Sequence, residues 1–186
     1  MRATEREVWL LNFYRNSELH GALLMGRLAR SYDDTGLLVN LTKHCATEAR
    51  HAALLSQAIA SLGARIDPRT DTIQARYAAA GGVPTALVDL LVLSETLEKR
   101  VLASYRAHLQ RPNVHGTTRE VLTRILHEME EEDGGEHEGW IEAALEKLPR
   151  EQVEAAEEKW RAVDARVAAE LERKVDTLFP KEAISA

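Results

Sequence analysis

His44-Cys45-Ala46-Thr47-Glu48-Ala49-Arg50-His51 decides how this chain is read. Glu48 and His51 stand three residues apart, so a helix sets them on one face. Leu37, Leu41, Leu55, Ile59 and Leu62 recur at helical spacing on that same face. A carboxylate and an imidazole are therefore aimed into an apolar stripe, where an unpaired charge is costly. Something must compensate them, and a metal ion is the first candidate.

Working outward, periodicity predicts that this helix, the second, runs from about Thr35 to Leu62 and stops at Gly63. A first helix is predicted over Thr4 to Arg30 and a third from near Pro84 to Gln110. A fourth covers Thr117 to Leu148, distorted near Gly134-Gly135, and a fifth covers Arg150 to Leu178, closed by Pro180. The connections Ser31–Asp34 and Arg111–Gly116 are short, so helices one and two, and helices three and four, are antiparallel neighbours. Gly63–Val83 is long enough to travel the length of a bundle, with room for a short helical turn around Thr72–Ala80. The expected fold is all-α: a four-helix bundle over residues 1–148 with a long crossover between helices two and three. A C-terminal fifth helix (149–180) and a tail (181–186) follow. The fifth helix carries Val153, Ala156, Trp160, Val163, Val167, Leu171, Val175 and Leu178, a stripe suited to covering its own bundle or to a homodimer seam.

Bulk composition narrows the function classes. With 186 residues, one domain with a sizeable core is expected. The net charge of −6 and the lack of a Lys/Arg cluster with interleaved aromatics argue against nucleic acid as a main partner. The single cysteine, Cys45, excludes an internal disulfide and any Cys-x-x-Cys metal site, and fits a reducing cytoplasm. The first residues carry no apolar signal core, and runs such as Leu90–Leu93 are too short for a bilayer. A cytoplasmic location without membrane contact is therefore expected.

The other predicted helices also hold polar residues on their apolar stripes. In helix one, Glu18 sits among Leu11, Tyr14, Gly21, Ala22 and Met25, beside small residues that leave room. In helix three, Glu98 lies closer to the centre of the stripe than Glu95, because successive residues are about 100° apart. Helix four enters with Leu122, Ile125 and Met129, resumes with Trp140, and places an acidic run between them. There Asp133 and His137 are four apart. The rival assignment is a straight helix that uses Glu132 or Glu136. His44, one turn before Glu48, reads as a core histidine or as a support for a ligand. His20, His108, His115 and His127 fall off the stripes and read as surface residues.

This constellation resembles the ferritin-like (rubrerythrin-like) di-iron carboxylate superfamily over residues from about 5 to 148. In such bundles two helices each give a Glu and the other two each give Glu-x-x-His. Glu18 and Glu98 match the single-Glu roles, and Glu48/His51 matches one pair. The second pair departs from the pattern, because Gly134 stands where a Glu would precede His137. A π-bulge would absorb one extra residue and bring Asp133 and His137 in as ligands. The resemblance implies two iron ions, with manganese or a mixed pair as substitutes, held by Glu18, Glu48, His51, Glu98, Asp133 and His137. Carboxylate with imidazole suits those metals. It further implies an oxidoreductase or oxygenase that activates O₂ or peroxide, a small-molecule substrate, and an external electron donor. One cysteine leaves no rubredoxin-type iron site in this chain. The alternatives are iron storage or peroxide detoxification, and a metal-free helical interaction module. A related tRNA-hydroxylating bundle is not favoured by the acidic balance.

Overall fold

The computed structural model describes residues 3–133 and 137–179, the side chains of 130–133, 137 and 138 excepted. The described residues form seven helices and no strand. They are α1 (Glu5–Leu28), α2 (Thr35–Ser61), α3 (Ile73–Gly81), α4 (Leu87–Leu109), α5 (Gly116–Asp133), α6 (His137–Leu145) and α7 (Arg150–Leu178).

Local chemistry sets the boundaries. Thr4 Oγ1 accepts from the Glu7 amide at 3.2 Å, and Asp34 Oδ1 accepts from the Leu37 amide at 2.7 Å. Each cap satisfies a first-turn amide that has no partner within its helix. Helix α2 closes on Gly63, whose φ of 66° is the left-handed conformation glycine adopts readily. Around it the Ala64 amide donates to the Ile59 carbonyl at 3.1 Å and the Gly63 amide to the Ala60 carbonyl at 2.9 Å, a double-bonded helix stop. The predicted third helix begins three residues later than Pro84, at Leu87. The predicted fourth helix is described as two, α5 and α6. The expected π-bulge falls on residues 134–136, outside the described residues.

Helices α1 and α2 pack extensively on each other; α5 contacts α2 and α4, and α6 contacts α4, α5 and α2. Leu11, Leu55, Ile59, Leu122, Ile125 and Ile141 are fully excluded from solvent at the centre of this packing. Burying each such side chain stabilises the fold by about 1.5–3 kcal/mol.

The crossover is zipped to α1 by a row of polar side chains. Asn12 accepts from the Asp67 amide at 2.7 Å and donates to the Arg65 carbonyl at 3.3 Å. Asn16 Nδ2 donates to the Asp67 and Thr70 carbonyls, both at 2.9 Å. Ser17 Oγ accepts from the Ile73 amide at 3.0 Å, and Gln74 Nε2 donates to the Ser17 carbonyl at 3.0 Å. Asn12, Asn16 and Ser17 are buried, so α1 presents a second inward face that is polar rather than apolar. Backbone groups of the irregular segment are thereby satisfied without a sheet or helix of their own.

Helix α7 spends its stripe on its own chain, against α3 and α4. Trp160, Val163, Val167 and Val175 are buried there, and Trp160 Nε1 donates to Asp89 at 2.8 Å. A Cβ at Gly81 would lie 2.7 Å from the Trp160 ring, so the absence of a side chain lets α3 seat on α7. Arg100 of α4 and Tyr77 of α3 both hydrogen-bond Asp164 of α7, which ties three helices at one carboxylate. Among the described residues no helix is long and apolar enough to cross a membrane.

Candidate functional site

Three helices turn carboxylates or imidazoles toward one cavity, and a fourth, α5, borders it through Met129. Glu18 comes from α1, His44, Glu48 and His51 from α2, and Glu98 from α4; all line the cavity. It offers about 60 Å³ to the centres of water-sized occupants. A single water needs roughly 10–15 Å³ of such space, so there is room for more than one. Leu24, Met25, Leu97, Val101 and Met129 supply an apolar wall.

The polar atoms meet in pairs. His51 Nδ1 lies 3.4 Å from Glu18 Oε2, and His51 Nε2 lies 3.4 Å from Glu128 Oε2. His44 Nε2 is 3.5 Å from Glu48 Oε1, and His44 Nδ1 is 3.4 Å from Glu98 Oε1. Tyr105 of α4 donates to Glu18 Oε1 at 2.5 Å, a short bond of the kind a buried carboxylate attracts. Glu48 lies over Gly21 of α1: a Cβ there would collide with both carboxylate oxygens. The small residue on the Glu18 face of α1 is thus the cradle of Glu48.

Burial and charge set the protonation states. Burial alone would push the His44 imidazole down, but the hydrogen bond and charge of Glu48, then the charges of Glu98 and Glu18, raise it to about 9. His44 is therefore a cation at neutral pH, flanked by two carboxylates. Burial pushes the Glu48 carboxyl up, against the pull of His44. Burial, then the charge of Glu18, holds the Tyr105 hydroxyl well above its ordinary range, so it stays protonated and donates. Buried atoms that end without a hydrogen bond include Glu48 Oε2, His51 Nε2, Gln74 Oε1 and Glu128 Oε2. Such orphans are uncommon and mark a place where a ligand or water belongs.

Four of the residues expected from the sequence, Glu18, Glu48, His51 and Glu98, share this cavity. Glu95 instead pairs with Lys99. Among the described residues, however, no three His, Cys, Asp or Glu groups come together in a way that could hold a metal ion. The side chains of Asp133 and His137, and of the rivals Glu132 and Glu136, lie outside the described residues. The residue of α5 that does reach His51 is Glu128, which stands outside the ligand set expected from the sequence. Arg50 holds its Oε2 at 2.7 Å and Arg124 its Oε1 at 3.0 Å. Its signal was available: Glu128 stands three residues after the fully buried Ile125 and seven after the buried Val121. His44, expected as a core residue or a support, is the contact between Glu48 and Glu98, and Trp140 of α6 packs edge-on against its ring at 6.5 Å. His20 and His127 are exposed as expected, but His108 is 4% exposed and belongs to the interior. Comparison with protein-family models, with curated proteins and with solved structures gives no match.

Proposed function

We propose that this chain is a ferritin-like four-helix bundle whose cavity binds two divalent metal ions, iron before manganese, and that it works as an oxidoreductase on O₂ or peroxide. The observation that carries the reading is the convergence of Glu18, Glu48, His51 and Glu98 on one cavity, with Glu128 against His51. Glu48 Oε2 and His51 Nε2 are left there without a hydrogen bond. Carboxylate with imidazole is the donor chemistry of iron and manganese rather than of a thiolate zinc or an all-oxygen calcium site. The hairpins α1/α2 and α4/α5, joined through the long segment that holds α3, support the bundle topology. Glu128 takes the fourth-helix carboxylate role expected of Asp133.

Bound iron would supply redox chemistry and open coordination positions for an oxidant. The chain's own residues do the rest. Tyr105 orients Glu18 through its hydroxyl, and Gly21 lets Glu48 approach the backbone of α1. His51 lies between Glu18 and Glu128. Leu97, Val101 and Met129 give the cavity an apolar wall.

A second reading has its own observation. The pairwise contacts, with His44 a cation between Glu48 and Glu98, compensate much of the buried charge without metal. On that reading the protein is a metal-free helical module with a buried polar network. Elemental analysis of protein from iron-replete cells separates the two. About two Fe or Mn per chain is expected, as in this bundle class, with loss of metal in Glu48→Ala and His51→Ala. Protein that is isolated without metal and takes up no Fe(II) on reconstitution refutes the metal reading. Consumption of O₂ against peroxide, and particle size, then separate oxidase, peroxidase and storage roles.

A further inference from the structure

The short helix α3 of the crossover contributes one side chain to the cavity, Gln74. Its amide orientation is fixed by chemistry. Nε2 donates to the Ser17 carbonyl at 3.0 Å, and a carbonyl oxygen can only accept, so a turned amide would set two acceptors against each other. The Oε1 atom that results is buried and has no hydrogen-bond partner. The Ser17 hydroxyl is already used: it donates to the Phe13 carbonyl at 2.8 Å and accepts from the Ile73 amide at 3.0 Å. Glu48 Oε2, on another wall of the cavity, is likewise buried and unsatisfied. Two residues from different elements thus line one cavity of about 60 Å³, and each carries a buried acceptor without a hydrogen-bond partner. Buried acceptors are costly to leave unmade, so the occupant of this space must bring the hydrogens.

We propose that Gln74 is a ligand-positioning residue of the cavity, and that with Glu48 it holds a small neutral molecule carrying two donor hydrogens. Water is the resting occupant, and a molecule with two O–H or N–H groups of similar size is the preferred ligand. A donor-free anion of similar size gains nothing from Gln74 Oε1. Helix α3 is then part of the site rather than a mere connection, held to α1 by Asn16, Ser17 and Gln74 itself. The inference rests on the cavity being the binding site proposed above, but not on metal being bound there.

Two measurements test it. In a crystal structure of the protein without added metal, an ordered water within hydrogen-bond distance of both Gln74 Oε1 and Glu48 Oε2 is expected. A dry cavity, or direct contact between Gln74 and Glu48, overturns the proposal. In cobalt(II)-loaded protein, at a mildly alkaline pH where hydrazine is uncharged, the visible spectrum is titrated with hydrazine, which has donor hydrogens, and with azide, which has none. Gln74→Met, close to the same shape, is expected to weaken hydrazine about tenfold, the worth of a hydrogen bond, and to leave azide within about twofold. Equal loss for both probes overturns the proposal in favour of a structural role for Gln74. Failure of wild-type protein to bind cobalt counts against the metal reading alone, and the water position then decides on Gln74.

Discussion

His108 is expected to make this protein lose stability at mildly acidic pH. The ring is 4% exposed, beside Tyr14 at 5.8 Å between centroids, and its Nδ1 has no hydrogen-bond partner. Burial depresses its pKa first, the Arg111 charge second; Glu7 opposes them and Arg6 reinforces them, for a value of about 4 against 6.5 in a free imidazole. A native pKa below the unfolded one means that the unfolded chain binds the proton first as pH falls. The stability contribution is therefore complete above about pH 6.5 and is lost between there and about pH 4. Each tenfold difference in proton affinity between the folded and unfolded chain is worth about 1.4 kcal/mol, so the loss from about pH 7.5 to about pH 4.5 is about 2–3 kcal/mol. The difference from a variant isolates the effect of this one side chain. Urea melts of wild type and His108→Leu at about pH 7.5 and 4.5 are expected to show a smaller acid loss in the variant, by about 2–3 kcal/mol. Arg111→Ala is expected to move the His108 titration upward, read from the imidazole proton shifts by NMR. Equal acid sensitivity in wild type and His108→Leu, or a His108 midpoint near that of a free imidazole, refutes the reasoning.

Two other substitutions probe how the site is positioned. Gly21→Ala drives a methyl into the Glu48 carboxylate, so Glu48 must leave its place; a stability loss of about 1–3 kcal/mol is expected. Loss of bound metal should accompany it, and full metal content in Gly21→Ala would show that Glu48 does not need that cradle. Asn16→Ala removes the donor to the Asp67 and Thr70 carbonyls. A loss of about 1–3 kcal/mol is expected. It should come with faster amide exchange confined to residues 64–74, and unchanged exchange there would mean that the crossover is held elsewhere.

The helices were legible because each rests on a local rule. The caps at Thr4 and Asp34 and the stop at Gly63 act through bonds within a few residues, and the stripes of α1, α2 and α4 follow a single period. That Glu18, Glu48, His51 and Glu98 turn toward one cavity was legible for the same reason, since each interrupts an apolar stripe near its centre. What escaped depends on helices with more than one buried face. Helix α4 is covered by α5, α6 and α7, and its Tyr105 and His108 pack on Tyr14 of α1, so its buried arc is wider than one stripe and takes in His108. Helix α1 uses Asn12, Asn16 and Ser17 to bind backbone from the crossover, and a polar row with that job looks like a solvated face in sequence. Glu128 was hidden by the acidic run that follows it, although the buried Val121 and Ile125 already pointed toward the interior at its position.

The charge arrangement also explains why the same side chains can serve both readings of the site. Glu18, Glu48, Glu98 and Glu128 bring four carboxylates to one region, and removing one member of a buried pair leaves the other uncompensated. Without metal, the compensation comes from several directions: Arg50 and Arg124 hold Glu128 from the surface, Tyr105 donates to Glu18, and the His44 cation stands between Glu48 and Glu98. Divalent ions would replace only part of this. Imidazoles bind metal as neutral bases, so metal loading at a ligand His44 would have to expel its proton, while a His44 outside the ligand set would keep it and lend its charge to Glu48 and Glu98. The two cases differ in one count: about one proton more per chain is released on metal uptake when His44 is a ligand. Comparing calorimetric proton release for wild type and His44→Gln therefore assigns His44, and identical release in the two proteins places it outside the metal's reach.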